Sequence, residues 1–311
     1  MKKIGLALGS GGARGWAHIG VIEALEEAGY EIGWVAGTSM GSLVGGAYAS
    51  GRLEALKRII QHLDWKQVFY YFFEVTFPRS GLIDGTKIAG FIREQLGDVD
   101  LASLQIPFRA VATDVMTGKE VLLSSGDLID VIRASISIPG IFTPVSRDGM
   151  TLVDGGLVNP VPVDIARAMG APFVVAVDLN HGRLSGRVSG EGERRPATKP
   201  LPKINLRKLK MEDNKFLREL NRRIDVFDES VLTPVRDWML REGMPNVFDV
   251  LGNSIRIMEA QISDARLKID VPDLLVRPAV GDINVMEFHR ADEAIRAGYT
   301  AAKEAMAKAK L

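Results

Sequence analysis

The chain of 311 residues contains no cysteine, which excludes disulfides, thiol nucleophiles and thiolate metal sites. It also has no excess of charge, because 39 lysines and arginines balance 39 aspartates and glutamates. No overall field therefore draws it to nucleic acid or to an anionic membrane. No apolar run approaches the ~18 residues of a membrane span, and Ile4–Leu8 is too short for a signal peptide. We expect a cytoplasmic protein whose membrane contact, if any, is peripheral.

Histidine, the usual base of a serine hydrolase, is scarce. The four histidines, His18, His62, His181 and His289, fall in predicted helices or in a linker-like stretch. None follows the end of a strand, where the triad histidine of an α/β-hydrolase is expected. The sequence therefore offers no histidine for such a triad, and we expect packing or surface roles for all four.

What the chain does contain is a regular alternation of strand-like and helix-like segments over residues 1–180. Strand-like runs such as Ile4–Leu8, Ile32–Ala36 and Phe173–Asp178 are apolar without alternation. Such runs indicate strands that are covered on both faces. We expect an α/β fold, with a three-layer α/β/α core and a mostly parallel sheet.

Beyond this core, residues 181–203 are rich in glycine, arginine, glutamate and proline, which predicts a linker or mobile loop. Residues 204–311 are expected to form a helical C-terminal extension that packs on the core. Helices are predicted at Met211–Ile224, Val247–Lys268 and Phe288–Lys310. The apolar face of the second helix has two interpretations: it covers an active site, or it only packs against the core.

One stretch, residues 69–77, holds six of the 21 aromatic residues of the chain. One interpretation is a segment that is buried in the core. The other is an apolar lip that contacts a hydrophobic substrate or, transiently, a membrane surface. Composition alone is compatible with both.

The segment from Gly37 to Gly41 reads GTSMG, which matches the pattern G-x-S-x-G with Ser39 at its centre. It lies between a predicted strand and a predicted helix, and this context distinguishes a nucleophile elbow from a chance match. Glycines suit both flanks because side chains there would clash with the strand and the helix. A helix N-terminus also favours a developing negative charge. Ser39 is therefore the candidate nucleophile.

Asp154 ends a predicted apolar strand and is followed by Gly155 and Gly156. Parallel sheets carry functional groups at the carboxyl ends of their strands, so this aspartate is a candidate base for Ser39. Its apolar neighbours predict a pKa raised by desolvation. The alternative is that Asp-Gly-Gly is only a turn.

A glycine-rich loop follows the first strand, and its consecutive glycines Gly11 and Gly12 leave backbone amides free to form an oxyanion hole. Arg14 either braces this loop or meets a phosphate, and Gly15 leads into the first helix. A dinucleotide site is disfavoured, because Ser10 replaces the first glycine of the G-x-G-x-x-G pattern.

These segments, in this order, resemble the patatin-like phospholipase family, and most of all its bacterial members related to the neuropathy target esterase group. The resemblance extends from Ile4 to about Asp178 and fades beyond residue 180. It is carried by GGARG at 11–15, AHIGV at 17–21, GTSMG at 37–41, ATD at 112–114, RASISIPGIF at 133–142, DGG at 154–156 and NPVP at 159–162.

The resemblance implies a serine–aspartate dyad, with Ser39 as nucleophile, Asp154 as base and the amides of Gly11 and Gly12 as oxyanion hole. It also implies hydrolysis of phospholipid, lysophospholipid or related acyl esters through an acyl-enzyme, with no metal or cofactor. We expect a lipid or acyl ester as substrate and no nucleic-acid partner. Two alternatives stay open: a thioesterase acting on small acyl esters, and a non-catalytic regulatory or adaptor protein on the same scaffold.

Overall fold

The computed structural model describes residues 2–62, 85–181 and 247–310. The chain forms two compact units, Met1–Ser185 with Leu251–Leu311, and Gly186–Val250. Apart from residues 247–250, all the residues described below belong to the first unit. The predictions for the aromatic segment 69–77, for the linker from residue 182 and for the helix 211–224 lie outside the described residues.

A single sheet forms the centre of the described structure. Its strands are β1 (Lys2–Leu8), β2 (Tyr30–Thr38), β3 (Phe108–Asp114), β4 (Lys119–Leu123), β5 (Val145–Arg147), β6 (Met150–Asp154), β7 (Val174–Val177) and β8 (Leu274–Val276). The order is β5-β6-β3-β2-β1-β7-β8, and β4 also pairs with β3. The run from β3 through β2, β1 and β7 to β8 is parallel, whereas β4, β5 and β6 pair antiparallel. The expected α/β fold with a mostly parallel sheet is confirmed.

Successive side chains of the central strands enter two separate apolar clusters. On β1, Leu6 and Leu8 join the larger cluster and Ala7 joins the smaller one. On β7, Val175 joins the larger cluster and Val174 the smaller. Because alternate residues of a strand point to opposite faces, both faces of the sheet are buried. This explains why the strand sequences are apolar throughout.

Helices cover both faces. They are α1 (Ala17–Glu27), α2 (Met40–Ala49), α3 (Leu53–Ile60), α4 (Thr86–Leu96), α5 (Leu128–Ser135), α6 (Val163–Ala168), α7 (Val247–Ile269) and α8 (Ala291–Ala309). Residues of α1 to α5 and of α8 build the larger cluster, while α6 and the end of α7 contribute to the smaller one. No helix in the described part of the chain is long and apolar enough to cross a membrane.

Two of these elements, α5 and β5, were not predicted from the sequence. The first turn of α5 is capped by Asp127, whose carboxylate accepts hydrogen bonds of 3.0 Å from the amides of Ile129 and Asp130. An eight-residue helix shows only two turns of apolar periodicity, and a three-residue strand shows almost none. The capping aspartate was the available signal for α5.

The last helix, α8, packs against α1 through direct backbone contact. A Cβ added at Gly20 of α1 would overlap the Ile295 carbonyl, and one added at Gly298 of α8 would overlap the Ala17 carbonyl. Small residues at both positions therefore allow the two helices to approach this closely.

Strands β2 and β6 lie end to end along one edge of β3. Thr38, the last residue of β2, pairs with Val111, and Asp154, the last residue of β6, pairs with the next residue, Ala112. Because β2 is parallel to β3 and β6 is antiparallel, their carboxyl ends meet. Strand β6 is thus antiparallel to β3, and the prediction that Asp154 ends a parallel strand is wrong about direction. It is the shared edge of β3 that brings Asp154 beside the residue that follows β2.

Candidate active site

Ser39 occupies the turn between β2 and α2 with φ 54° and ψ −122°, a strained conformation for a residue with a side chain. The flanking glycines are required for space. A Cβ added at Gly37 would overlap the Gly41 carbonyl, and one added at Gly41 would overlap the Leu8 carbonyl. This strained strand-to-helix turn, built on small flanking residues, has the features of a nucleophile elbow.

Hydrogen bonds from neighbouring elements hold this turn in place. The Ser39 amide donates to Ser135 Oγ at 2.9 Å, and Ser135 Oγ donates to the Val111 carbonyl at 2.6 Å. Thr38 Oγ1 donates to the Asn159 carbonyl at 2.8 Å. Ser135 was not identified as a site residue from the sequence, because a serine at the end of a short helix gives no signal of its own.

The hydroxyl of Ser39 donates a hydrogen bond of 2.6 Å to Oδ2 of Asp154. The other carboxylate oxygen, Oδ1, accepts from the Gly156 amide at 2.8 Å. Both residues are buried, Ser39 at 3% exposure and Asp154 at 4%. Gly155 lies directly on β3, since an added Cβ would overlap the Val111 carbonyl. The fold therefore brings the predicted nucleophile and the predicted base into direct contact.

Burial raises the pKa of Asp154 to about 6, although the hydrogen bonds from Ser39 and Gly156 pull it downward. The cause is desolvation, which disfavours the charged carboxylate. An exposed aspartate has a pKa of about 3.9 and is a weak base toward a hydroxyl proton. At neutral pH the buried carboxylate is still ionised, but it accepts a proton more readily than an exposed one.

The glycine-rich loop after β1 leads into a short 3-10 helix, Gly12–Trp16, at the edge of a pocket that also contains Ser39 and Asp154. Gly12 has φ 56° and packs closely against Val285, so no side chain fits there. The Ala13 amide donates to the Val285 carbonyl at 2.9 Å. By contrast, no described residue accepts a hydrogen bond from the amide of Gly11 or Gly12. These two amides border the pocket as donors without a protein acceptor among the described residues.

Arg14 braces this loop from within the protein. It is 1% exposed, and its Nε donates to the Gly11 carbonyl at 3.0 Å. Its terminal nitrogens donate to the Leu179 carbonyl at 3.0 Å and to Oδ1 of Asn180 at 3.1 Å. Of the two roles left open by the sequence, this bonding supports bracing. Gly15, which follows in the same loop, packs against the first residue of α2.

Histidine takes no part in the Ser39–Asp154 contact. All four histidines lie in the described ranges, and none of them hydrogen-bonds to either residue. His18 is buried in α1, where its Nε2 contacts the Gly9 carbonyl at 2.8 Å. Burial lowers the pKa of His18 to about 4, so the ring is neutral at pH 7. Within the described part of the chain, no three His, Cys, Asp or Glu side chains are grouped to hold a metal ion.

A pocket opens at Ser39 and Asp154, and one of its walls is the inner face of α7. The α7 residues that line it are spaced as one face of a helix. The lining consists of Gly11, Gly12, Arg14, Ser39, Ile138, Pro139, Ile141, Asp154, Leu157, Gly252, Ile255, Arg256, Glu259 and Val285. The helix predicted at Val247–Lys268 therefore lines the candidate site in addition to packing on the sheet.

Two charged residues of that wall, Arg256 and Glu259, were missed by the sequence analysis. They are only 8% and 7% exposed, whereas the apolar Ile257 and Met258 between them are 44% and 47% exposed. Charged residues of an amphipathic helix ordinarily face solvent, so the sequence pattern gives no signal for the burial of these two. Their burial results from the packing of α7 against the pocket.

Glu259 is a second carboxyl group beside Asp154. Its carboxylate lies against Gly156, where an added Cβ would overlap it. Burial, together with the charge of Asp154, raises the pKa of Glu259 to about 8, against the charge of Arg14 and the hydrogen bonds with Ser10 and Asn180. Glu259 is therefore mainly protonated at pH 7, while Asp154 is ionised.

Comparison with known proteins assigns this chain to a family. The family model of patatin-like phospholipases matches residues 6–167, which include the glycine-rich loop, the Ser39 turn and Asp154. The chain belongs to the patatin-like phospholipase family. The resemblance expected from the sequence motifs is confirmed. For a patatin-like chain, family membership suggests lipid acyl hydrolysis as the class of activity.

Relatives of this patatin-like chain occur in bacteria and in animals. An uncharacterized NTE family protein of Mycobacterium tuberculosis is 32% identical over 346 residues, covering 98% of this chain and 91% of that protein. Human patatin-like phospholipase domain-containing protein 6 is 37% identical over 182 residues, covering 57% of this chain and 13% of the human protein. Neuropathy target esterase of Drosophila melanogaster is 34% identical over 185 residues, with coverage of 57% and 13%. Among solved structures, VipD of Legionella pneumophila has a TM-score of 0.46 at 14% identity, covering 99% of this chain and 67% of that chain.

Proposed function

We propose that this protein is a serine acyl hydrolase that cleaves lipid or related acyl esters with a Ser39–Asp154 dyad. The observation that carries the proposal is the 2.6 Å hydrogen bond from the Ser39 hydroxyl to the buried Asp154 carboxylate. A serine hydroxyl needs a base within hydrogen-bond reach, and this carboxylate is within reach. The apolar lining formed by Ile138, Ile141 and Ile255 suits an acyl chain.

In the first step, Ser39 Oγ attacks the carbonyl carbon of the ester while its proton passes to Oδ2 of Asp154. The electron pair of the carbonyl bond moves to the carbonyl oxygen. The amides of Gly11 and Gly12 would donate to that oxyanion, a role supported by their lack of acceptors among the described residues. The N-terminus of α2 adds a favourable partial charge.

The tetrahedral intermediate then collapses, and the bond to the leaving alcohol breaks. Asp154 returns its proton to that alcohol, which leaves an acyl group bound to Ser39 Oγ. Water attacks the acyl-enzyme as Asp154 takes one of its protons. Collapse of the second intermediate releases the carboxylic acid, and the proton goes back to Ser39. No step requires a metal or an organic cofactor.

The proposal is tested by measuring hydrolysis of p-nitrophenyl esters of graded chain length by the wild type, Ser39→Ala and Asp154→Asn. Loss of a nucleophile or its base in comparable hydrolases lowers kcat by roughly 10⁴- to 10⁶-fold. We expect a loss of that order in both variants, with the circular dichroism of the folded protein retained. The chain length with the highest kcat/KM then measures the depth of the acyl pocket.

Two matched substitutions serve as controls. Ser50→Ala removes a hydroxyl at the other end of α2, and Asp148→Asn removes an exposed charge in the β5–β6 turn. Both should retain wild-type rates. Full activity in Ser39→Ala or Asp154→Asn would refute the dyad. A wild type that is inert toward esters and active toward acyl thioesters would favour a thioesterase, and inertness toward both would favour the adaptor alternative.

A further inference from the structure

Arg256 lies in the pocket of the proposed dyad, and most of its side chain is buried. It comes from α7 and is 8% exposed, and it lines the same pocket as Ser39 and Asp154. Burial lowers the pKa of its guanidinium, because removing a cation from water disfavours the charged form. Buried charges in proteins are normally paired or hydrogen-bonded.

Arg256 has no such partner in the described part of the chain. No described residue accepts a hydrogen bond from its guanidinium or forms an ion pair with it, and Glu259, one turn further along α7, is not paired with it. Arg14 is different, because its nitrogens donate to Gly11, Leu179 and Asn180. The guanidinium of Arg14 is thus occupied by groups of the protein itself. Arg256, with no partner among the described residues, is the better candidate for binding an anion.

The charges around Arg256 favour an anion in the remaining space. The pKa of Arg14 is lowered mainly by burial and further by the nearby charge of Arg256, whereas Glu259 and Asp178 raise it. Asp154 is the ionised carboxyl of the pocket at neutral pH, and Glu259 is mainly protonated there. Among the groups that line the pocket, two guanidinium groups thus accompany one ionised carboxylate, and that carboxylate already accepts hydrogen bonds from Ser39 and Gly156.

We propose that Arg256 binds an oxyanion carried by the substrate, so that the enzyme prefers acyl esters bearing a phosphate or carboxylate group over neutral ones. This inference rests on the proposed hydrolase function and names the substrate class of the same site. A guanidinium is suited to the role because its planar fork matches both anions with two hydrogen bonds. The anion would sit within the pocket beside the ester that Ser39 attacks.

The test compares matched short-chain substrates below their micelle-forming concentration, so that no lipid surface is involved. Hexanoyl glycerol is the neutral substrate, hexanoyl glycerol 3-phosphate carries phosphate, and the hexanoyl ester of glyceric acid carries carboxylate. The ratio of kcat/KM on each anionic ester to that on the neutral ester is measured for the wild type, Arg256→Gln, Arg256→Lys and Arg296→Gln. Arg296 is an exposed arginine of α8, and its variant loses the same charge outside the pocket.

We expect the wild type to prefer at least one anionic ester by about tenfold or more, the size of one charge-assisted hydrogen-bonded contact. Arg256→Gln should remove most of that preference, Arg256→Lys should keep part of it, and Arg296→Gln should match the wild type. Inorganic phosphate should compete with the neutral ester in the wild type, and competition should weaken in Arg256→Gln. The two ratios of the wild type identify which anion is preferred.

Failure of this inference can be distinguished from failure of the proposed function. If the wild type cleaves neutral and anionic esters equally well, the role of Arg256 is refuted and the hydrolase proposal stands. If the wild type cleaves no ester, the hydrolase proposal fails. The anion site is then tested separately: phosphate should raise the thermal midpoint of the wild type more than that of Arg256→Gln, and equal shifts would refute the site. If Arg256→Gln does not fold, the inference is tested with Arg256→Lys and with the competition of inorganic phosphate against the neutral ester in the wild type. Absence of that competition would refute the inference.

Discussion

Glu259 and Asp154 meet at Gly156, whose amide donates to Asp154 at 2.8 Å and whose missing side chain leaves room for the Glu259 carboxylate. Two carboxyl groups that are buried this close together do not lose their protons independently. Asp154 ionises first, with a pKa of about 6, and its charge contributes to the pKa of about 8 of Glu259. The carboxyl pair therefore loses its two protons in separate steps, and the charge of the pocket changes at each step.

The first prediction concerns the acid side of the rate profile. Below pH 6, Asp154 is protonated and cannot accept the Ser39 proton, so kcat/KM should fall about tenfold per pH unit. The profile is measured with a soluble p-nitrophenyl ester between pH 4 and pH 10. A rate that stays constant down to pH 4 would exclude Asp154 as the base with its raised pKa.

The second prediction concerns the alkaline side. Above pH 8, ionised Glu259 adds a second negative charge to the pocket and opposes the oxyanion that forms during attack. The wild-type rate should therefore decline there, and Glu259→Gln should abolish the decline while keeping the acid limb. An alkaline limb that persists unchanged in Glu259→Gln would assign it to another group.

A third prediction is that Asp154→Asn is more stable than the wild type. The pKa of Asp154 is raised from 3.8 to about 6 on folding, so the folded protein holds its proton more tightly than the unfolded chain. As pH rises between these two values, the protein loses about 3 kcal/mol of its free energy of unfolding, and the loss is complete above pH 6. Urea unfolding should show the variant more stable at pH 8, with the difference shrinking toward pH 4. Asp148→Asn, an exposed control, should show no such pH-dependent gain.

The fourth prediction uses His18, whose pKa is lowered from 6.5 to about 4 by burial. Between these values the unfolded chain binds a proton that the folded protein does not, so the contribution of His18 to stability is lost as pH falls through this range. The loss amounts to about 3 kcal/mol. Asp154 and Glu259 act in the opposite direction, because their pKa values are raised.

The contribution of His18 is therefore isolated by comparing the wild type with His18→Gln. The glutamine amide can still donate to the Gly9 carbonyl, which His18 contacts at 2.8 Å, but it does not titrate. Between pH 7 and pH 4.5 the variant should gain stability relative to the wild type in urea unfolding. If the free energy of unfolding changed with pH in the same way in both proteins, His18 would not be held neutral in the folded state.

A fifth prediction tests the contact of α8 with α1. Gly298→Ala places a methyl group on the Ala17 carbonyl and should destabilise the protein by at least about 2 kcal/mol through overpacking. Gly90→Ala in α4 is the matched control, because its added Cβ meets nothing within 4 Å. That control should be neutral or stabilising by up to about 1 kcal/mol. Equal thermal midpoints for the two variants would contradict the close helix contact.

The local parts of the candidate site were predictable from the sequence. Ser39 is identified by glycines on both sides and by the change from an apolar strand to a helix, all of which lie within a few residues of it. Asp154 was identified through its apolar strand and the two following glycines. The apolar strands likewise predicted a sheet that is covered on both faces, because burial of both faces leaves no polar alternation.

The parts that depend on tertiary packing were not predictable. Arg256 and Glu259 face the pocket because of the way α7 docks: its inward face combines these two charged residues with Ile255, while Ile257 and Met258 are exposed. The direction of β6 was also wrong, since nothing in a five-residue strand encodes whether its neighbour runs parallel or antiparallel. Both features are set by contacts between residues far apart in sequence.

The junction of β2 and β6 on β3 has a consequence for how the molecule can vary. The spacing of Ser39 and Asp154 depends on one step along the hydrogen-bond ladder of β3, from Val111 to Ala112. It does not depend on the length of the chain that joins them. Insertions or deletions in the connecting loops can therefore accumulate without changing the distance between the two groups. A one-residue slip of either strand against β3 would separate them at once.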